Sequence, residues 1–395
     1  MKNQLFFAAV LLMFAACNDP IFYTISQEVE PKDPRINGGP TNFTSFNNAM
    51  YVASGNTLHR YTKDGWDKKE KVPQPDGRII RLAATGNYLY ALCRKDESTV
   101  IKRYPNKSNK WEEIGGETGS YKDLQSIYEA GDKVFIGAEN NDFFTFFRID
   151  DSASANAAIK KITGVPIPKG ENKEHAGELC GAAFNGSYYY LCTKDTYVME
   201  KDKDDKDIGI AGIFQLDISA NTASRIDSSK DKGFTGIINL DDINIAAITR
   251  EGILYNVKAG SVTKTNISMD SMSNGALAIW THKDKPSQRL LLAARQDSLE
   301  YSVYTGYTYG YLELELDSTK PNGIKDGAVF TEPGKKAISS IEDSNNDLYK
   351  STIGKHPVTH LFQTPDDVDS KRILFASTQK SGVWSYRERE WNAEE

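Results

Sequence analysis

A short apolar, aromatic-leaning run that ends in small residues, followed by a turn and a second strand-like run, recurs seven times along this 395-residue chain. The copies are Met50-Tyr51-Val52-Ala53, Leu89-Tyr90-Ala91-Leu92, Val134-Phe135-Ile136-Gly137, Tyr189-Tyr190-Leu191-Cys192, Ile245-Ala246-Ala247-Ile248, Leu291-Leu292-Ala293-Ala294 and Leu374-Phe375-Ala376-Ser377. Aligned on Tyr51, Tyr90, Phe135, Tyr190, Ala246, Leu292 and Phe375, they are separated by 39, 45, 55, 56, 46 and 83 residues. Recurrence at this scale makes each unit one supersecondary element that buries its faces only against its neighbours.

Within the second unit, Ile79 to Ala84 and Tyr88 to Cys93 flank a Thr85-Gly86-Asn87 turn, a third strand runs Val100 to Tyr104, and a fourth begins at Trp111. Tyr, Val, Ile and Phe fit a pleated, half-buried surface, while Gly, Asn, Asp and Ser supply turn conformations. Four antiparallel strands per unit, at roughly 40 to 50 residues per repeat, predict an all-β propeller of radial blades. The step of 83 leaves two readings, a decayed eighth blade or an insertion between blades six and seven. The insertion is preferred and placed around Lys335 to Pro357, because Ala278-Ile279-Trp280-Thr281-His282 and Thr359-His360-Leu361-Phe362 introduce the last two copies in the same way.

A Tyr before the outer turn and a Trp after it recur as Tyr61 and Trp66, Tyr104 and Trp111, and Tyr386 and Trp391. Each pair is expected to pin an outer hairpin on a neighbouring blade. Only four residues follow Trp391, too few for a full fourth strand, so the strand-like Ile21 to Ser26 is expected to cross the closure and complete the last blade. On that reading, removal of residues 18–30 destabilises the whole ring.

The first 16 residues read as a secretion signal: Lys2, then an apolar Leu5 to Phe14, then Ala15-Ala16 before Cys17. The apolar run falls short of the about 20 residues that span a bilayer. Residues 17–20 would be a tether and 21–395 a single propeller domain, since no Pro/Gly/Ser-rich linker divides the chain. Without the leader the net charge moves from −6 to −7, that is 47 basic minus 54 acidic groups, and no long basic run is present. Nucleic acid, which demands clustered Lys and Arg, is therefore not an expected partner. Hydrophobic residues at 39%, with 20 Tyr and 17 Phe, argue for a large β core and against disorder.

Residues able to carry chemistry are sparse. A three-residue loop at Asn185-Gly186-Ser187 would pair Phe184 with Tyr188 and set Cys180 opposite Cys192; the two form either a disulfide or a pair of small buried hydrophobes, and Cys93 has no partner. His59, His175, His282, His356 and His360 are scattered, and Pro357 disfavours the helix that a zinc pair at His356 and His360 would need. Asp241-Asp242 and Asp366-Asp367 fall at strand ends or turns, and the charged run Glu200 to Asp207 reads as a solvated loop. Tyr301, Tyr304, Tyr307, Tyr309 and Tyr311 read as inter-blade packing, or else as a recognition patch. No catalytic, cofactor or metal residue is assigned, and no cofactor is expected.

Phe14-Ala15-Ala16-Cys17 resembles the bacterial lipobox, whose cysteine receives lipid. With Ile21 to Glu30, Asp33-Pro34, the closing Leu374 to Gln379 and Gly382-Val383-Trp384-Ser385-Tyr386, the chain resembles bacterial lipoproteins, particularly those of spirochaetes, predicted to fold as seven-bladed propellers. The resemblance implies an envelope protein lipid-anchored through Cys17, with the outer membrane expected, and carries no catalytic residues. The expected function is a scaffold that binds an unidentified protein partner; a glycan-acting hydrolase or lyase, or a solute-binding protein, is the alternative. An ordinary secretory signal with an incidental cysteine is the other reading of Cys17.

Overall fold

The computed structural model describes residues 36–394 apart from 107–109, 120, 122, 141–142, 165–166, 169–176, 196–211, 228–232, 269–271, 283–284, 296–309, 321–322, 326–357 and 388–389. Each of the seven sequence copies is the second strand of an antiparallel sheet. Blade 1 is β1 (Thr44–Phe46), β2 (Ala49–Ser54), β3 (Thr57–Thr62) and β4 (Gly65–Trp66); blade 2 is β5 (Arg78–Ala84), β6 (Tyr88–Lys95), β7 (Ser98–Pro105) and β8 (Glu112–Ile114). Blade 3 is β9 (Asp123–Ala130), β10 (Lys133–Glu139), β11 (Phe143–Ile149) and β12 (Ile159–Lys161), with β13 (Ile167–Pro168) also on β11. Blade 4 is β14 (Gly177–Phe184), β15 (Tyr189–Asp195), β16 (Gly212–Asp217) and β17 (Thr222–Arg225); blade 5 is β18 (Phe234–Asn239), β19 (Ile245–Thr249), β20 (Ile253–Lys258) and β21 (Ser261–Ser268). Blade 6 is β22 (Met272–His282), β23 (Lys285–Arg295) and β24 (Gly310–Glu315), its fourth position marked by an antiparallel bridge between Leu316 and Ile324. Blade 7 is β25 (Val358–Gln363), β26 (Leu374–Thr378), β27 (Val383–Arg387) and β28 (Glu390–Ala393). Among the described residues there is no α-helix, and no helix is long and apolar enough to cross a membrane.

Second strands are buried on both faces, which is why their sequence reads as a continuous apolar run and not an alternation. Seven apolar clusters result, one at each junction between blades. Leu92, Ile127 and Phe147 join blades 2 and 3; Phe135, Leu191 and Phe214 join 3 and 4; Leu374, Tyr311 and Trp391 join 7 and 6. The last cluster, with Met50, Val52 and Tyr61 against Phe375 and Val383, joins blade 7 to blade 1 and makes the fold a seven-bladed ring. Because blade 6 packs directly on blade 7, the step of 83 residues is a connection and not an eighth blade; the segment proposed as an insertion lies outside the described residues, as do the run Glu200 to Asp207 and four of the five tyrosines. The fifth, Tyr311, is buried against Trp391, with ring centroids 5.8 Å apart.

The expected closure needs correction. Four residues suffice for a short fourth strand: Glu390 to Ala393 pair with Arg387 to Trp384, so blade 7 is completed by the C-terminus itself. The N-terminal contribution comes from Ile36 to Gly38, where Val383 N–H donates to Ile36 O and Gly382 N–H to Gly38 O, both at 3.0 Å. Ile21 to Ser26 lies outside the described residues. A Cβ on Gly39 would stand 2.8 Å from the carbonyl oxygen of Gln379, so the clasp requires glycine there. Glu394 then accepts from Trp66 Nε1 of blade 1 at 2.5 Å, and Tyr61 donates to the buried Asp369 of blade 7 at 2.9 Å.

The hairpin reading holds. Ring centroids are 5.2 Å apart in Tyr61 and Trp66, 5.4 Å in Tyr104 and Trp111, and 5.7 Å in Tyr386 and Trp391. Each Trp lies on the preceding blade: Trp66 against Phe375, Trp111 among the residues joining blades 1 and 2, and Trp391 against Tyr311.

Candidate functional site

The first strand of each blade is innermost, and in five blades it carries a single extra residue at one repeated place. The bulged residues are Ile80, Gln125, Cys180, Thr235 and Thr359. Each lies opposite the second-to-third step beyond the aligned residue of the second strand, for example between Leu92 and Cys93, or between Ser377 and Thr378. A bulge bends and twists its strand and re-aims the next side chain. The following residues, Arg81, Ser126, Gly181, Gly236 and His360, therefore occupy one tier around the ring axis.

This register corrects the sequence reading of blade 4. Phe184 pairs with Tyr189, not Tyr188, and Gly181 with Cys192, leaving Cys180 as the bulge. Cys180 and Cys192 are both buried free thiols whose Sγ atoms lie 3.3 Å apart. Burial holds the Cys192 thiol well above its usual range, and burial pushes Cys93, which packs between blades 1 and 2, to about 11.

One end of the channel opens as a cavity of about 650 Å³. The turn between β1 and β2 contributes Asn47 and Asn48, the turn between β5 and β6 Thr85 and Gly86, and the turn between β9 and β10 Gly131; Asn239 and Asp367 complete the rim. Asn47 and Asn48 take φ of 49° and 56°, the left-handed pair that a two-residue hairpin demands and that Asn tolerates. Below them lies Glu129, whose Oε2 accepts from Thr44 Oγ1 at 2.7 Å and from the Ala84 amide at 2.5 Å. Protein surrounding Glu129 pushes its pKa upward, although its side chain stays open to the mouth, which tempers the push. Asp366 and Asp367 lie in the β25–β26 connection and Asp241 caps its own turn by accepting from the Ile243 and Asn244 amides, as expected of turn aspartates.

Deeper in the channel, the Arg81 guanidinium lies 3.6 Å over the Tyr128 ring, and Lys194 pairs with Glu178 at 3.0 Å. His360, a strand residue as expected, is neutral: burial first, then Arg81 and Lys194, lower its pKa to about 3. Arg81 of blade 2 and Lys194 of blade 4 are thus both within electrostatic reach of His360. His59 stacks edge-on to Trp66, while His175 and His356 lie outside the described residues, as does the side chain of His282. Among the described residues no three His, Cys, Asp or Glu side chains group as metal ligands. Glu129, Arg81 and Ser126 were missed by the sequence reading; the available signal was a charged or polar residue inside an otherwise apolar first strand, as in Ile79-Ile80-Arg81-Leu82.

The mouth and the first described residues, Ile36 to Gly38, lie on opposite faces. Turns joining first to second strands surround the mouth, whereas Ile36 to Gly38 sit at the turns joining second to third strands, Gly38 bridging Ser381 and Asn37 O accepting from Ser54 Oγ. A ring of seven sheets, open at one mouth and clasped at the other face by its N-terminal segment, is the class that the geometry defines. The chain belongs to the TP013X lipoprotein family, whose model matches residues 3–380. No curated protein matches it. Among solved structures it is similar to YCF48 bound to D1 peptide, at 10% identity and a TM-score of 0.51, covering 90% of this chain and 96% of that one. It is also similar to the GH74 xyloglucanase from Xanthomonas campestris (12% identity, TM-score 0.51, 89% of this chain and 43% of that one) and to the extracellular domain of BT4673 from B. thetaiotaomicron (14%, 0.43, 87% and 44%). The chain thus spans under half the length of the last two.

Proposed function

We propose that the protein is a lipid-anchored binding scaffold of the bacterial cell envelope, tethered through Cys17, that presents its channel mouth to a protein partner. The observation that carries this reading is the placement of the mouth on the face opposite the N-terminal clasp. An anchor joined to that clasp leaves the mouth free of its own tether. The mouth suits a partner segment bearing a basic or amide side chain, because Glu129 is fixed by two hydrogen bonds and flanked by Asn47, Asn48 and Asn239. Membership of a lipoprotein family supports the anchor, and the YCF48 complex with a peptide supports peptide capture as a use open to this architecture. The outer membrane is the proposed location.

The test is site-specific photo-crosslinking from Asn48 in intact cells, with the wild type compared to Glu129→Gln. A discrete adduct from Asn48 that weakens in the variant, and is missing when the probe stands at Lys380, is expected. Equal labelling from both faces removes the reading. Loss of membrane association in Cys17→Ser tests the anchor separately. The alternative, a glycan-cleaving propeller, rests on Glu129 and Asp367 lining one cavity; turnover of an oligosaccharide that vanishes in both Glu129→Gln and Asp367→Asn would establish it in place of the scaffold.

A further inference from the structure

The bulge tier holds three polar atoms whose capacity is unspent. Arg81 Nε, Ser126 Oγ and His360 Nδ1 are each shielded from solvent and have no hydrogen-bond partner among the described residues. Leaving a buried polar group without a partner is costly, more so when it is charged, so three in one tier call for an explanation. All three follow a bulge, in blades 2, 3 and 7. Arg81 reaches the face of β9 that carries Ser126: the guanidinium lies on Tyr128, which is two residues from Ser126 on the same face of that strand.

The ring contact consumes only the face of the guanidinium. Its N–H groups lie in the guanidinium plane, and Nε has no partner among the described residues. Among the described residues no ion pair takes them: Glu178 is paired with Lys194, and Glu129, which feels the Arg81 charge, commits its Oε2 to Thr44 and Ala84. Arg81 lies three residues before Ala84 of the mouth, about 10 Å deeper along an extended strand. From these observations we infer that the central channel contains a binding site for a small oxyanion, a carboxylate or a phosphate, held by the Arg81 guanidinium with Ser126 Oγ and His360 Nδ1 as further hydrogen-bonding groups. A neutral imidazole can donate to such an anion through whichever nitrogen carries its proton, and Oγ can rotate to donate. The site lies below the partner surface at the mouth and is tested separately from it.

The experiment uses the full chain in detergent micelles. Sodium phosphate and sodium malonate are titrated separately, each against sodium chloride at matched ionic strength, with binding heat and the thermal midpoint recorded. Saturable heat and a rise in midpoint are expected for at least one of the two anions, and which one responds identifies a phosphate or a carboxylate ligand. Removing a bidentate charged contact should weaken binding by roughly tenfold to a hundredfold in Arg81→Gln. Arg81→Lys, which keeps the charge but not the fork, should weaken it less, and Ser126→Ala by several fold. Should Arg81→Gln fail to fold, the lysine and alanine variants still decide the matter. No saturable response beyond chloride in the wild type, or variants that titrate like the wild type, overturns the site.

Discussion

At the level of single residues, the channel groups are the ones whose protonation reports on the fold. His360 titrates near 3 in the folded ring, against about 6.5 when exposed, because enclosure and the neighbouring Arg81 and Lys194 penalise its charged form. With the folded value depressed, its contribution to stability is complete above about pH 6.5 and is lost progressively as pH falls toward 3. Lowering pH from 7 to 5 should therefore reduce the unfolding free energy by at most about 2 kcal/mol through this group. His360→Gln should flatten that part of the profile, and equal slopes for the two proteins in thermal melts at pH 5, 6 and 7 would refute the assignment. The cysteine pair makes a second case. Cys180 and Cys192 have their sulfurs 3.3 Å apart, yet burial suppresses the thiolate that disulfide chemistry requires. Alkylation in denaturant without reductant should label Cys93, Cys180 and Cys192 alike; a species two hydrogens lighter that resists labelling at the blade 4 pair would instead show the bridge.

Elements were far more legible than sites. Apolar runs such as Leu89-Tyr90-Ala91-Leu92 are buried on both faces, so their position as second strands was written into composition, and Trp111 after Tyr104 marked an outer hairpin. The bulges were not legible: one extra residue changes no residue type, yet it moves every partner beyond it by one, so that Leu179 faces Thr193 while Gly181, placed by the four-residue loop Asn185 to Tyr188, faces Cys192. The tier of Arg81, Ser126 and His360 depends on that shift in three separate blades, and so does the candidate site. The same hairpins can be tested by substitution. Trp111 packs on Tyr104 and donates Nε1 to Pro73 O at 3.0 Å, fastening blade 2 to the segment that leaves blade 1. It is only partly buried, so Trp111→Ala should cost about 2–3 kcal/mol, near the lower end for aromatic truncation, while Trp111→Phe keeps most of the packing and loses about 1 kcal/mol with the hydrogen bond. Chemical denaturation should rank the wild type, phenylalanine and alanine proteins in that order, and equal losses in the two variants would show that the ring packing contributes nothing.

For the whole molecule, the decisive property is that the seventh junction has the same kind of apolar core as the other six but is made by residues far apart in sequence. Met50, Val52 and Tyr61 meet Phe375 and Val383 there, and the contact is locked from both ends of the described chain, by Ile36 to Gly38 on β27 and by Glu394 on Trp66. Opening it would expose two apolar sheet faces at once and release Ile36 to Gly38 from Val383 and Gly382. Deleting residues 388–395 removes β28 and so leaves β27 as an unpaired edge, removes the acceptor for Trp66 at the seventh junction, and takes the buried Trp391 out of the junction of blades 6 and 7, while the other five junctions keep their residues. Truncation of a buried Trp alone costs about 3–5 kcal/mol. In a chain of this size that corresponds to a fall of several degrees in the thermal midpoint, with the strand and the clasp adding to it. A larger radius in small-angle scattering and a rise in self-association should accompany the shift, since the ring then carries a weakened closure and an unpaired strand edge at β27. A truncated protein that melts with the wild-type midpoint and keeps the wild-type radius would show that the first and last blades hold together through their faces alone, and that the paired termini are incidental to the closed ring.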